Sequence, residues 1–262
     1  VLSPRRLTPS FREKVWGAKH LEPWFPDSDK KIGEVWFEGV DDLPLLIKFL
    51  FTSEKLSVQV HPDDNYARKH HDSRGKTEMW HILAAEPGAK IAAGFRERLS
   101  ADQVHAAALS GEIEDLLEWH DARPGDTFFI PAGTVHAIGE GLALCEIQQN
   151  SDVTYRLYDY GRPRELHLER GIAVSARTPY AARQEPRGEV LVSSDYFTTS
   201  KLVVQSRLQH QPQANGFEVL IVIAGAGSVG DEETKAGEAW YVSAGAAPFD
   251  IAGKMTLLRT VT

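Results

Sequence analysis

Through much of this chain apolar and polar residues alternate with a period of two, and Gly or Pro breaks the alternation every few residues. The clearest stretch is Leu56-Ser57-Val58-Gln59-Val60-His61-Pro62-Asp63-Asp64. Read as a strand, it places Ser57, Gln59 and His61 on one face and Val58 and Val60 on the other. Pro62 ends it, having no N–H to continue a ladder. Further strands are expected at 33–40, at 43–51, from Gly75 to Leu83, from Ala89 to Phe95, at 127–130, at 141–148 and at 155–160. In the second of these a near-continuous apolar run carries one charge, Lys48. In the third, Lys76, Glu78 and Trp80 share a face. The polar segment 63–74 predicts a short helix. Residues 100–119 change to helical spacing, with Ser100 and Ser110 as N-caps of two short helices. Residues 1–30, interrupted by Pro4, Pro9, Pro23 and Pro26, are expected to be irregular. Many short strands joined by Gly/Pro turns predict an all-β barrel or sandwich.

The pattern also repeats. Gly125 to His136 aligns without a gap onto Gly237 to Pro248, and Glu78 with the alternation after it resembles Glu218 to Ile223. His136 corresponds to Pro248, and nothing like Gln59 and His61 precedes Glu218. Two related barrels are expected, at 1–180 and 181–262, the second smaller and without a metal site.

Composition narrows the class. At 262 residues with 42% hydrophobic and 25% charged positions, the chain is long enough for a substantial core. A net charge of −8 argues against nucleic acid or an anionic membrane as the partner. The single cysteine, Cys145, excludes an internal disulfide and suits a reducing compartment. There is no apolar run of membrane-spanning length and no secretory pattern at the start. The expectation is a cytoplasmic protein, monomeric or homodimeric.

Candidate chemistry gathers on the strand faces and turns as Gln59, His61, Glu78 and His136. Two imidazoles and a carboxylate with room for a further ligand make a catalytic zinc pattern, and the all-cysteine set of a structural site is absent. Mixed nitrogen and oxygen donors also accept iron, manganese or cobalt, so spacing leaves the metal open. Gln59 would be an unusual amide ligand. Lys48 either needs an anionic partner or snorkels from its strand end.

Four segments then resemble the type I phosphomannose isomerases: Ser57-Val-Gln-Val-His-Pro-Asp-Asp, Gly75-Lys-Thr-Glu-Met-Trp, Pro131-Ala-Gly-Thr-Val-His-Ala-Ile-Gly and Gln148-Gln-Asn-Ser-Asp-Val-Thr-Tyr-Arg-Leu-Tyr-Asp-Tyr. They stand in the family's order across residues 10–170 and are closest to its short bacterial branch. The segment Gly125…Pro131-x-Gly133-x-x-His136 also resembles the second motif of the wider cupin superfamily.

The resemblance implies two jelly-roll barrels of the double-stranded β-helix type. It also implies one zinc ion held by Gln59, His61, Glu78 and His136, and interconversion of mannose 6-phosphate and fructose 6-phosphate through an enediol. By position it implies catalytic roles for Arg156, Glu146 and Lys76, and places Lys48 and Ser57 near the phosphate. The large helical domain of longer members is absent, represented at most by the helices at 100–119. Three other classes stay in view: a cupin oxygenase using iron, a non-catalytic sugar-phosphate sensor, and an isomerase of another phosphorylated hexose.

Overall fold

The computed structural model describes residues 3–262, which are mostly strands, with four short helices among the described residues. The fold is all-β. By contact the chain divides into two compact units: Lys14–Ala18 with Leu43–Gln184, and the N-terminal residues up to Glu13 with Lys19–Asp42 and Glu185–Thr262. The expected single cut, 1–180 and 181–262, does not describe this grouping. Much of the N-terminal region belongs with the C-terminal strands: Arg5 and Arg6 pair with Tyr241 and Trp240, Leu7 N donates to Ala239 O at 2.8 Å, and Trp24 Nε1 donates to Ile223 O at 2.7 Å. The region is also more regular than its prolines predict, since Thr8–Ala18 is an 11-residue strand. Pro9 lies at its second position, near a strand start where a missing N–H is tolerated.

In the unit around residues 43–184, two antiparallel sheets face each other. One runs in the order Arg183–Gln184, Thr127–Ile130, Glu78–Ala85, Leu142–Gln149, Leu45–Thr52. The other runs Tyr155–Tyr158, Val58–Val60, His136–Ile138, Lys90–Phe95, Leu117–Asp121. Leu50, Trp80, Ile82, Phe128 and Leu144 from the first meet Ile91, Ala93 and Ile138 from the second in one buried cluster. Period-two alternation carries the same inner face onward from Leu50 to Lys48, from Trp80 to Glu78, and from Leu144 to Glu146 and Gln148. The interior is therefore apolar at one end and charged at the other, and the charged end is still buried.

The outer face of the second sheet packs under helices. Val58, Val60, Val135, Ala137 and Leu157 meet Val104, Ala107, Ala108 and Ile172. The helix Ala101–Ser110 starts at a capping box: Gln103 N donates to Ser100 Oγ and Ser100 N to Gln103 Oε1. Ser110 is not the cap of the next helix, as expected, but the last residue of this one. Ile113–Leu116 is only four residues long and has no side-chain cap. Asp63 caps Asp64–His71, and a further helix, Leu168–Val174, has no counterpart in the sequence reading.

The other unit is an eight-stranded sheet in the order Arg5–Arg6, Ala239–Val242, Glu218–Val229, Phe249–Val261, Thr198–Val204, Val190–Ser193, with Arg207–His210 and Glu232–Lys235 flanking the two long strands. Its apolar cluster includes Leu220, Val222, Trp240, Val242 and Leu257. No helix among the described residues is long and apolar enough to cross a membrane.

Candidate active site

The charged end of the interior in the first unit is built from facing strands. His136 lies opposite Gln59, and Gln59 opposite Arg156, so these three form one cross-strand row. On the other sheet Glu146 lies between Lys48 and Trp80, and Gln148 lies opposite Glu78.

His61, Glu78 and His136 are all buried and offer ligand atoms within 4.8 Å of one another. Backbone carbonyls orient both rings. His61 Nδ1 donates to Val153 O at 3.1 Å and His136 Nδ1 to Thr134 O at 2.8 Å. Each ring therefore turns an unprotonated Nε2 toward the carboxylate, 3.6 Å from Glu78 Oε2 for His61 and 3.4 Å from Oε1 for His136. Burial pushes both imidazoles below their ordinary range, with the Lys76 cation adding to the effect, and His61 falls to about 3. Burial alone would raise the Glu78 carboxyl, but the Lys76 cation beside it holds it well below the usual carboxylate range.

Neutral imidazoles thus confront an ionised carboxylate, lone pair against lone pair. Both Glu78 oxygens and His136 Nε2 are buried without a hydrogen-bond partner. Lys76 Nζ lies 3.0 Å from Glu78 Oε2 and 3.0 Å from His61 Nε2, on one side of the cluster only. Orphaned buried acceptors are costly, and a cation among them removes that cost. The donor set fits a divalent metal ion.

A second network adjoins the first. Lys48 Nζ donates to Gln148 Oε1 at 2.6 Å and lies 3.0 Å from Glu146 Oε2. Trp80 Nε1 donates to Glu146 Oε1 at 3.0 Å, while the Trp80 ring meets His136 edge-on at 5.3 Å. The Lys48 ammonium and the Trp80 N–H thus each meet one oxygen of the Glu146 carboxyl group. Gln148 is itself fixed by donating Nε2 to Gln149 O and Ser151 O. Ser57 is buried, and its Oγ donates over a long 3.4 Å to Gln59 Oε1. Arg156 donates Nη1 to Glu165 O at 2.7 Å. Asp159, by contrast, is taken by Arg162 and Arg164, which ties those two arginines to the protein.

Comparison with known proteins places this geometry. A family model for the type I phosphomannose isomerase catalytic domain matches residues 20–81, and one for the mannose-6-phosphate isomerase cupin domain matches residues 188–262. A mannose-6-phosphate isomerase from Streptococcus mutans is 38% identical, over 87% of this chain and 87% of that protein. The chain belongs to the type I phosphomannose isomerase family. Among solved structures, the mannose 6-phosphate isomerase of Bacillus subtilis superposes with a TM-score of 0.86 at 30% identity, covering 98% of this chain and 99% of that one. A phosphomannose isomerase variant from Salmonella typhimurium, at 17% identity, shares the fold with a TM-score of 0.80 over 99% of both chains.

Phosphomannose isomerase membership and the buried His–Glu–His group together point to a metal site. The catalytic-domain match spans Lys48, Ser57, Gln59, His61, Lys76 and Glu78; His136, Glu146 and Arg156 lie outside both matched segments. Four contributors carry little or no signal in the sequence. Trp80 was noted only for its face, Gln148 only as part of a motif, and the carbonyls of Thr134 and Val153 carry no side-chain signal. Alternation did hold a clue for Gln148, two residues beyond Glu146 on the same inward face.

Proposed function

We propose that this protein interconverts mannose 6-phosphate and fructose 6-phosphate, with a zinc ion held by Gln59, His61, Glu78 and His136. The observation that carries the reading is the set of buried, unsatisfied acceptors on Glu78 and His136, found in a chain of this family. When bound, a divalent cation polarises substrate oxygens and stabilises charge that develops on them.

The chain's own residues account for the rest. Aldose–ketose isomerisation takes a proton from one carbon and returns it to its neighbour through an enediol. Glu146, beside Lys48 and Trp80, is assigned to take that proton and give it back, a role supported by its burial at the charged end of the interior. Lys76 and Arg156 supply positive charge for the developing oxyanion; Arg156 stays charged throughout and acts by electrostatics rather than by proton transfer. Ser57 is assigned to the phosphate end; Lys48, for which the family resemblance implies the same place, is buried against Glu146 and Gln148 and is assigned instead to holding that carboxylate. The remaining unit, which carries the cupin-domain match, is assigned no ligand. A cytoplasmic setting fits a phosphorylated substrate and a buried lone thiol, Cys145.

The test is direct: purified protein is given mannose 6-phosphate and the sugar phosphates are resolved over time. Fructose 6-phosphate should appear and approach equilibrium from either side. Conversion of another phosphohexose, with mannose 6-phosphate untouched, would contradict the substrate assignment.

A further inference from the structure

Arg156 stands on Tyr155–Tyr158, a strand paired on one side only, with Val58–Val60. Its other edge faces no strand among the described residues, so the main-chain groups there need partners. At Arg156 one residue supplies both. His167 N donates to Arg156 O at 2.7 Å, and Arg156 N donates to His167 Nδ1 at 3.2 Å. The same short segment holds the guanidinium, through Nη1 to Glu165 O.

His167 sits immediately before the helix Leu168–Val174, and its carbonyl accepts from Gly171 N at 2.8 Å. Its side chain does not cap that helix; it reaches back to the strand. The helix is seated closely there, since a Cβ on Gly171 would lie 2.6 Å from Leu157 Cδ2. Because the Arg156 N–H donates to Nδ1, the ring proton belongs on Nε2. Burial, together with Arg156 and Arg170, presses His167 below the ordinary histidine range against the opposing pull of Glu165, which keeps Nδ1 free to accept. The row His136–Gln59–Arg156 thus ends on an arginine whose backbone and side chain are both held by residues 165–167.

We infer that His167 is a positioning residue for Arg156: its imidazole fixes the arginine's backbone at its place opposite Gln59 in the cross-strand row, from which the guanidinium is directed. The inference rests on the proposed charge-stabilising role of Arg156.

The test is a set of variants assayed with mannose 6-phosphate and checked for metal content. His167→Ala should keep its metal and lower kcat, by up to about 100-fold if the guanidinium shifts by an ångström, with a smaller change in KM. His167→Asn should recover most of the loss, because its amide oxygen replaces Nδ1 as acceptor. His167→Gln keeps the bulk but carries its oxygen one bond further out, and should not recover it; this pair decides the matter even if the alanine variant folds poorly. In an Arg156→Ala background, His167→Ala should cost nothing more. Multiplying losses, or a glutamine variant as good as the asparagine one, would overturn the inference. Normal kcat in His167→Ala with an inactive Arg156→Ala would also overturn it and leave the function standing. Normal turnover in Arg156→Ala would instead remove the arginine's role itself.

Discussion

Glu78 and Glu218 open corresponding strands in two related units, and both are almost wholly buried, at 0% and 1% exposure. They meet the cost of burial in opposite ways. Glu218 is neutralised by its own chain. Its Oε1 accepts from Gln213 N and Arg259 Nη2, at 2.7 and 2.8 Å; its Oε2 accepts from His210 Nε2 and Arg259 Nε, at 2.7 and 2.9 Å. Glu78 has the Lys76 ammonium 3.0 Å from Oε2 on one flank and two imidazole lone pairs on the others, and neither oxygen accepts a hydrogen bond. A guanidinium fork engages both oxygens of a carboxylate at once, and His210 and the Gln213 N–H take the remaining sites on Glu218; a single lysine leaves room. The same residue at the same depth is thus a closed structural ion pair in one unit and an open carboxylate in the other.

The sharpest break in that contrast comes from His136→Ala. It should abolish turnover and weaken metal affinity by more than the ~10–100-fold typical of losing only an orienting partner, as read by metal content after dialysis. The same substitution should remove the rise in Tm that added metal gives the wild-type protein, since an ion that binds only the folded chain stabilises it by mass action. Unchanged metal content would take His136 out of the ligand set.

Arg259→Met strikes the other carboxylate. Breaking a fully buried pair from one side costs about 3–5 kcal/mol; Arg259 is 24% exposed, so the expected loss is about 2–3 kcal/mol. Chemical denaturation measures it, and kcat per folded molecule should hold. A comparable fall in kcat would mean that the two units do not divide labour in this way.

The repeat offers a matched pair of glycines as well. Gly125 and Gly237 adopt φ of +92° and +90° ahead of equivalent strands. A Cβ on Gly237 would lie 2.2 Å from Trp24 O, whereas one on Gly125 meets nothing within 4 Å. Gly237→Ala should therefore cost about 3 kcal/mol, from strain and overpacking together, and Gly125→Ala about 1 kcal/mol from strain alone. Equal losses would show that backbone conformation, and not the close approach, governs both.

Acid titration should give the smallest separation. Burial raises the Glu218 carboxyl, but Arg259, His210 and Gln213 N–H more than offset this and bring it to about 2, against 4.5 ordinarily. Its folded pKa lies below its unfolded one. Its contribution to stability is thus complete above about pH 4.5 and is lost as the pH falls toward 2. Glu218→Gln should flatten the stability profile in that window. An unchanged slope would deny Glu218 this role.

How much of this the sequence carried depends on how local each signal is. Alternation alone put Ser57, Gln59 and His61 on one face, and Lys76 and Glu78 on another, because side-chain direction in a strand is set by parity. The motif around Pro131 to His136 marked the second imidazole. The closure of Glu218 was not legible. Its partners His210 and Arg259 come from two other strands, and neither belongs to a motif. Nor did the chain announce that residues up to Glu13 join the C-terminal strands, since pairing of Arg5 and Arg6 with Trp240 and Tyr241 spans almost the whole sequence. The helix at 168–174 was hidden by its length, seven residues with a glycine inside, too short for helical periodicity to stand out. What the alignment of Glu78 with Glu218 did supply was the right place to look for a difference.

The central claim is that the open carboxylate is completed by a metal ion that the reaction requires. The most direct measurement is turnover of mannose 6-phosphate by purified protein before chelation, after chelation, and after zinc and then other divalent ions are restored one at a time. The account predicts activity that vanishes on chelation and returns best with zinc, with His136→Ala unresponsive throughout. Full turnover by a chelated protein shown to be free of metal would contradict it.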